Sequence, residues 1–272
     1  IWGFHWGADA TKPYIYPLSL EGGPSLAALR PPDHPWHLGL WFSWKYINGV
    51  NYWEEDRATG RPAGLTTWSN VAVRAERDGR AMVTLDLAYR PIANAPAVLR
   101  EHRSLWFSAP SSDGSWSLDW NAEFTVVTDA IELAATPVNP ARTAGGYGGL
   151  LCRISTNLAD WGAVDERGRR DLAIHGEPAC AVDFHGRIGD CEAGLAILDH
   201  PDNPGSPCPW FLRLDRARGY GLTGPGFLFA GPRTYTAGQR WRLRYRVIVH
   251  PGAWSAQRLS RELEAFRTVA AP

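Results

Sequence analysis

Two histidines in a proline-rich loop, and three acids a short way downstream, are the residues best placed to move protons. His34 and His37 lie in Arg30-Pro31-Pro32-Asp33-His34-Pro35-Trp36-His37, and Glu54, Glu55 and Asp56 close the hairpin that follows. Imidazole titrates near neutral pH, so a positioned histidine serves as a general acid or base. Clustered carboxylates raise one another's pKa, which suits an acid partner. His37 is read as the catalytic group, with Glu54 or Glu55 beside it and His34 in contact with substrate. Two other readings of His37 stay open. One is a histidine satisfied by neighbouring backbone. The other is a divalent metal held by the histidines, with a third ligand from His175, His185 or His200. The HxxH spacing here is not the helical HExxH of zinc proteases, and its two rings diverge unless the loop bends.

The elements around this stretch decide whether the groups meet. Pro31, Pro32 and Pro35 have fixed φ and stiffen a non-helical loop. A strand is expected next: Trp36, Leu38, Leu40, Phe42 and Trp44 share one parity, and His37, Gly39, Trp41, Ser43 and Lys45 the other. The first set reads as a core face. In the second, Gly39 is expected to leave a gap beside His37, with Trp41 in the same site. Asn48-Gly49 is a hairpin turn signal that returns Trp53 and the acids towards the histidines. Asn48 and Trp53 are therefore substrate-binding candidates.

Further candidates lie downstream. A strand is expected to end at Asp199, displaying His200 and Asn203 in a proline-bounded loop before Trp210; an Asx turn also accounts for Asp202-Asn203. His200 is taken as a catalytic partner, and Asn203 and Trp210 as substrate contacts. Arg153 shares parity with Gly149 and reads either as a partner of a core carboxylate or as a catalytic group recognising an anionic or hydroxylated substrate. His175 and Glu177 alternate on one side of His-Gly-Glu-Pro as a second acid/base pair. No Gly-x-Ser-x-Gly is present, which argues against serine-hydrolase chemistry.

Alternating segments dominate the rest. Strands are expected at 14–20, 65–76, 80–89, 98–108, 115–127, 131–136, 150–155, 181–185, 194–198, 210–214, 227–230 and 241–250. Asp78-Gly79 joins two of them as a hairpin. Helix is expected only over 255–269, with Ser255 as cap and Leu259, Leu263 and Phe266 on one stripe. No linker or repeat demands a boundary in the 272 residues, so residues 1–272 read as one domain: all-β, a large antiparallel sandwich with a short C-terminal helix. The formal net charge is zero and basic residues are spread through the chain, which excludes an electrostatic footprint for nucleic acid. No run approaches the ~20 apolar residues that span a bilayer. Cys152, Cys180, Cys191 and Cys208 form no CxxC and read as unpaired thiols in preference to the alternative, a Cys180–Cys191 disulfide; with no signal peptide in the residues from Ile1, the expected compartment is the cytoplasm. Fourteen tryptophans are many for this length, and indole faces that escape the core can stack on sugar rings.

Several motifs together resemble the PmoA-like family, a domain of unknown function. They are Pro13-Tyr14-Ile15-Tyr16-Pro17-Leu18, Pro32-Asp33-His34-Pro35, His37, Gly39-Leu40-Trp41-Phe42, Asn48-Gly49-Val50, Trp53, Gly148-Gly149, Arg153 and Asp199-His200-Pro201-Asp202-Asn203-Pro204 through Trp210. Where family members often show His-Pro-His-His, this chain has His34-Pro35-Trp36-His37. The family's methane-oxygenase label conflicts with a chain lacking any spanning segment and is a misnomer here. What the resemblance implies is a galactose-mutarotase-like supersandwich.

The expected function is a carbohydrate-active enzyme using acid/base catalysis on a glycoside or oxidised (keto) sugar, as hydrolase, lyase or epimerase. No cofactor is assigned, and the partner is a small carbohydrate. The alternatives are a non-catalytic sugar-binding module or a natural-product tailoring enzyme that reuses the cavity.

Overall fold

The computed structural model describes residues 1–7, 9–138 and 145–269. In chain order the strands are β1 (Trp2–His5), β2 (Tyr14–Leu18), β3 (Leu40–Ser43), β4 (Tyr46–Ile47), β5 (Val50–Asn51), β6 (Leu65–Ala75), β7 (Ala81–Arg90), β8 (Leu99–Phe107) and β9 (Trp116–Val126). There follow β10 (Ala130–Ala134), β11 (Gly149–Ile154), β12 (Ala159–Asp165), β13 (Ala181–Ile188), β14 (Cys191–Asp199), β15 (Trp210–Asp215), β16 (Tyr220–Pro225), β17 (Arg233–Thr236) and β18 (Arg240–Pro251). Helix α1 (Ala256–Arg267) comes last.

These strands form antiparallel sheets. An eight-stranded sheet runs β12-β13-β14-β18-β9-β8-β7-β6, a six-stranded one β1-β2-β3-β11-β16-β15, and a four-stranded one β17-β10-β4-β5. The alternation that predicted β9 is the reason for its placement. Trp116, Leu118, Trp120, Ala122, Phe124 and Val126 are buried in the main core against Leu40, Phe42 and Trp44 of the opposing segment. On the outer face Asp119 pairs with Arg246 of β18 at 2.6 and 2.8 Å. The core also holds a charged cluster: Glu101 accepts from Tyr89 Oη and Arg103 Nε, each at 2.5 Å, and the Arg103 guanidinium lies 4.6 Å from the Trp120 ring centre.

Ser255 caps α1 by accepting from the Arg258 N–H at 3.2 Å, satisfying one orphan donor of the first turn. Its Leu259, Leu263 and Phe266 pack on Val164, Ala181, Ala196, Leu198 and Ile248, covering one end of the large sheet's outer face.

Four strands escaped the sequence reading: β1, β12, β16 and β17. In β16 (Tyr-Gly-Leu-Thr-Gly-Pro) glycines dilute the alternation on which such a reading rests. Residues 227–230 are turn rather than strand, closed by Phe229 N–H to the Gly226 carbonyl at 2.9 Å. The four cysteines are free thiols, as expected. Among the described residues no helix is long and apolar enough to cross a membrane.

Candidate functional site

The six-stranded sheet turns one face to the sandwich core. On its other face lies a cavity of about 840 Å³, roofed by the loop at 30–37 and the hairpin after β3. That volume lies within the roughly 300–1,000 Å³ typical of small-molecule sites. Its floor is set by parity. Trp41 pairs with Leu151, Arg153 with Leu222, and Leu222 with Arg213, so these side chains share one face.

The proline loop bends, so the two histidine rings do not diverge. Arg30 N–H donates to the His37 carbonyl at 2.8 Å, closing the loop's base. Two successive turns, His34 N–H to Pro31 O and His37 N–H to His34 O, each at 3.0 Å, put the histidines on one side. Their rings stack with centroids 4.6 Å apart, and the next ring in that stack is Trp41, 5.0 Å beyond His37.

Asp33 organises this end. It accepts from His34 Nδ1 at 2.9 Å and from Arg153 Nη2 at 2.9 and 3.2 Å. Burial pushes its carboxyl up, but the hydrogen bonds from His34 and Arg153 outweigh that and hold it below the ordinary value. With Nδ1 occupied, Nε2 is the nitrogen left free for other work on His34, which lines the cavity. His34 is 36% exposed at its side chain, against 2% for His37 as a residue. Burial, then the charges of His34, Arg153 and Lys12, hold His37 well below the ordinary imidazole value. His37 is thus a neutral ring at neutral pH, with Nδ1 3.5 Å from Arg153 Nη1.

The hairpin supplies the second cluster. Asn48 and Gly49 take φ of 50° and 74°, as the predicted turn requires. The chain then delivers Glu54 to the cavity, where Lys45 pairs with it, Asn51 Nδ2 donates at 2.6 Å and Tyr147 Oη at 3.2 Å. Burial raises the Glu54 carboxyl, but Lys45 and these donors bring it below its ordinary value. Burial pushes the Tyr147 phenol up, so it remains a proton donor. Trp53 is buried but lines the cavity, packed on Trp41 at 5.2 Å and Tyr147 at 5.3 Å.

The structure therefore brings together His34, His37, Glu54, Arg153 and Trp53, with Trp41 beneath them. It does not bring the other expected residues. Glu55 faces away, paired with Arg30 at 2.7 Å and accepting from Thr11 at 2.6 Å, because successive residues leave the hairpin on opposite sides. Asn48 Oδ1 accepts from the Glu132 N–H at 2.7 Å, bracing the turn against β10. His200 is buried under α1, against Phe266 at 5.0 Å and Arg244 Nη1 at 3.0 Å. Asn203 clamps Asp199 and the Arg244 backbone at 2.6 and 2.7 Å. Trp210 is core, its Nε1 donating to Thr223 at 2.9 Å. His175 packs against Phe211 and Phe229 and accepts from the Leu212 N–H at 3.2 Å, whereas Glu177 is exposed and pairs with Arg169 at 3.0 Å. The two do not form a dyad.

Gly39 also differs from expectation. Its φ is 66°, and a Cβ there would meet the Ile15 carbonyl at 2.5 Å, so it permits strand approach rather than ligand entry. Among the described residues no third metal ligand joins the histidines: His185 is bonded to Asp183 at 2.7 Å, and no group of three His, Cys, Asp or Glu is arranged to hold a metal ion. Asp33, Lys45, Tyr147, Arg213 and Tyr220 also line the cavity and were not among the expected site residues. Asp33 sits inside the motif that was read, and Lys45 shares His37's parity, so both were within reach.

Fold and site together define an antiparallel β-sandwich with a polar, aromatic-walled cavity on the outer face of its smaller facing sheet. The chain belongs to the DUF6807 family, a family of unknown function, which matches residues 1–264. Membership of a domain family of unknown function is thus as the motifs implied; the match carries no PmoA-like name. No curated protein matches the chain significantly. Among solved structures, the chain is similar to the GH36 alpha-galactosidase AgaB from Geobacillus stearothermophilus, at 8% identity and TM-score 0.44 over 78% of this chain and 32% of that one. It is also similar to the alpha-galactosidase from Lactobacillus brevis, at 10% identity and TM-score 0.40 over 92% of this chain and 34% of that one. The chain spans about a third of the length of these solved proteins.

Proposed function

We propose that this chain is a carbohydrate-active enzyme that moves a proton on a glycoside or an oxidised sugar, in the cavity over the six-stranded sheet. The observation that carries the reading is the Asp33–His34 pair at the cavity wall. A carboxylate that receives Nδ1–H leaves Nε2 as the basic nitrogen, and a half-exposed imidazole so oriented is suited to general base work. Arg153 is a positioning residue, since it holds Asp33 and is itself buried. His37 backs the His34 ring rather than exchanging the proton, because burial disfavours its charged form. Glu54, ionised beside Lys45, accepts a substrate hydroxyl, and Tyr147 donates to a substrate oxygen. Trp53, Tyr147, Phe211 and Tyr220 supply apolar walls for a sugar ring. The PmoA-like resemblance of the first motif block is consistent with this placement, since Asp33, His34 and His37 all belong to that block.

A test is to titrate the protein with neutral methyl glycosides and their 3-keto derivatives, reading binding by tryptophan fluorescence and turnover by NMR. Binding with product formation supports the reading. Binding without any turnover across the panel replaces it with a non-catalytic sugar-binding module.

A further inference from the structure

The charges lining the cavity do not balance. Asp33, Glu54 and Asp215 face it, as do Lys45, Arg153, Arg213 and Arg218. Each carboxylate has its own cation: Arg153 on Asp33 at 2.9 Å, Lys45 on Glu54, and Arg218 on Asp215 at 3.8 Å. Arg213 is left over. No carboxylate among the described residues pairs with it, and its contact is with Tyr220, whose ring centre lies 5.9 Å from the guanidinium.

Its position is fixed by the sheet. Arg153 of β11, Leu222 of β16 and Arg213 of β15 form one cross-strand row, which separates the outer two by about 10 Å at their Cα atoms. Tyr220, two residues from Leu222 on the same face, has the Arg153 guanidinium 3.8 Å from its ring centre and Arg213 on it as well. One aromatic ring is thus flanked by two permanent cations, of which Arg153 is held by a carboxylate, Asp33. Arg153 is itself incompletely satisfied, its buried Nε having no acceptor.

Resting on the carbohydrate reading above, we infer that the substrate carries a carboxylate, as a uronic or aldonic acid does, and that Arg213 receives it over Tyr220. The planar guanidinium fork matches a carboxylate in two parallel hydrogen bonds. A single surplus cation favours a single negative charge over a phosphate, which brings roughly −1.5 to −2 at neutral pH.

The experiment compares binding of methyl glucuronide, methyl glucoside and glucose 6-phosphate, and of the galacto series, to the wild type, Arg213→Gln and Arg213→Lys, with melting temperatures recorded for each. The expected result is at least tenfold tighter binding of a uronide than of its neutral glycoside by the wild type. In Arg213→Gln that preference disappears, and in Arg213→Lys part of it remains. Equal wild-type affinity for uronide and neutral glycoside overturns the inference while leaving the carbohydrate reading intact, as does preference for the phosphate. A preference that persists in folded Arg213→Gln removes Arg213 from the role. No binding by any sugar of the panel overturns both.

Discussion

Arg153 Nη2 donates to both carboxylate oxygens of Asp33, at 2.9 and 3.2 Å, across 120 residues of sequence. The arginine rises from the middle of a sheet and the aspartate from a proline loop, so this pair ties the site's roof to its floor. His34 Nδ1 shares one of those oxygens, Oδ2, at 2.9 Å. Asp33→Ala is expected to destabilise the fold by about 1–3 kcal/mol, because a buried guanidinium loses its charged acceptor. Urea unfolding measures this; an unchanged midpoint would show that the clamp is not stabilising.

The two histidines should separate cleanly by substitution. His37 is packed between two rings, so His37→Ala is expected to lower the melting temperature as well as turnover. His34→Ala should lower turnover about 10²–10⁴-fold with little change in melting temperature. The reverse assignment of these two phenotypes would return the catalytic role to His37.

Trp210 and Trp53 make a similar contrast. Trp210→Ala is expected to cost about 3–5 kcal/mol of stability, since a fully buried indole bonded to Thr223 is removed from the core. Trp53→Ala opens the cavity wall and should weaken ligand binding in addition to stability. Sugar affinity lost in folded Trp210→Ala and kept in Trp53→Ala would contradict the placement of the site.

Lys12 gives a pH signature. Burial, against the opposing charge of Glu55, lowers its pKa from 10.5 to about 8 in the folded protein, where Nζ donates to the Trp53 carbonyl at 2.8 Å. Between about pH 8 and 10 the unfolded chain therefore holds a proton at Lys12 that the folded one has released. More protons bound to the unfolded state means that this residue's contribution to stability rises with pH across the window. Wild-type stability relative to Lys12→Met should accordingly increase between pH 8 and 9.5, in paired unfolding curves. A flat or falling difference would contradict the lowered pKa.

Much of this fold was legible because antiparallel sheets covered on one face alternate, and β9 and β18 alternate almost without interruption. The helix was legible from its cap and stripe. β16 was not, because its glycines are selected by close approach to Ile154 and Leu150 rather than by alternation. The site was half legible. His34, His37 and Glu54 were found through local spacing, and Arg153 through parity. His200 and Asn203 misled because a histidine and an amide in a proline loop look alike whether they meet a ligand or, as here, seat a helix and a strand end. Arg213 and Tyr220 join the cavity through strand pairing between segments far from the histidines in sequence, and no local pattern announces that.

On the proposed function, His34, held by Asp33, exchanges a proton with a bound sugar. The most direct test is deuterium incorporation from D₂O into 3-keto glycosides and 3-keto uronides at the carbon beside the carbonyl, followed by NMR with wild type, His34→Ala and Asp33→Asn. Enzyme-dependent exchange is expected in the wild type, with a loss of about 10²–10⁴-fold in His34→Ala and a smaller loss in Asp33→Asn. Exchange at the wild-type rate in folded His34→Ala, or sugars that bind the wild type without exchange or turnover, would contradict that role for His34.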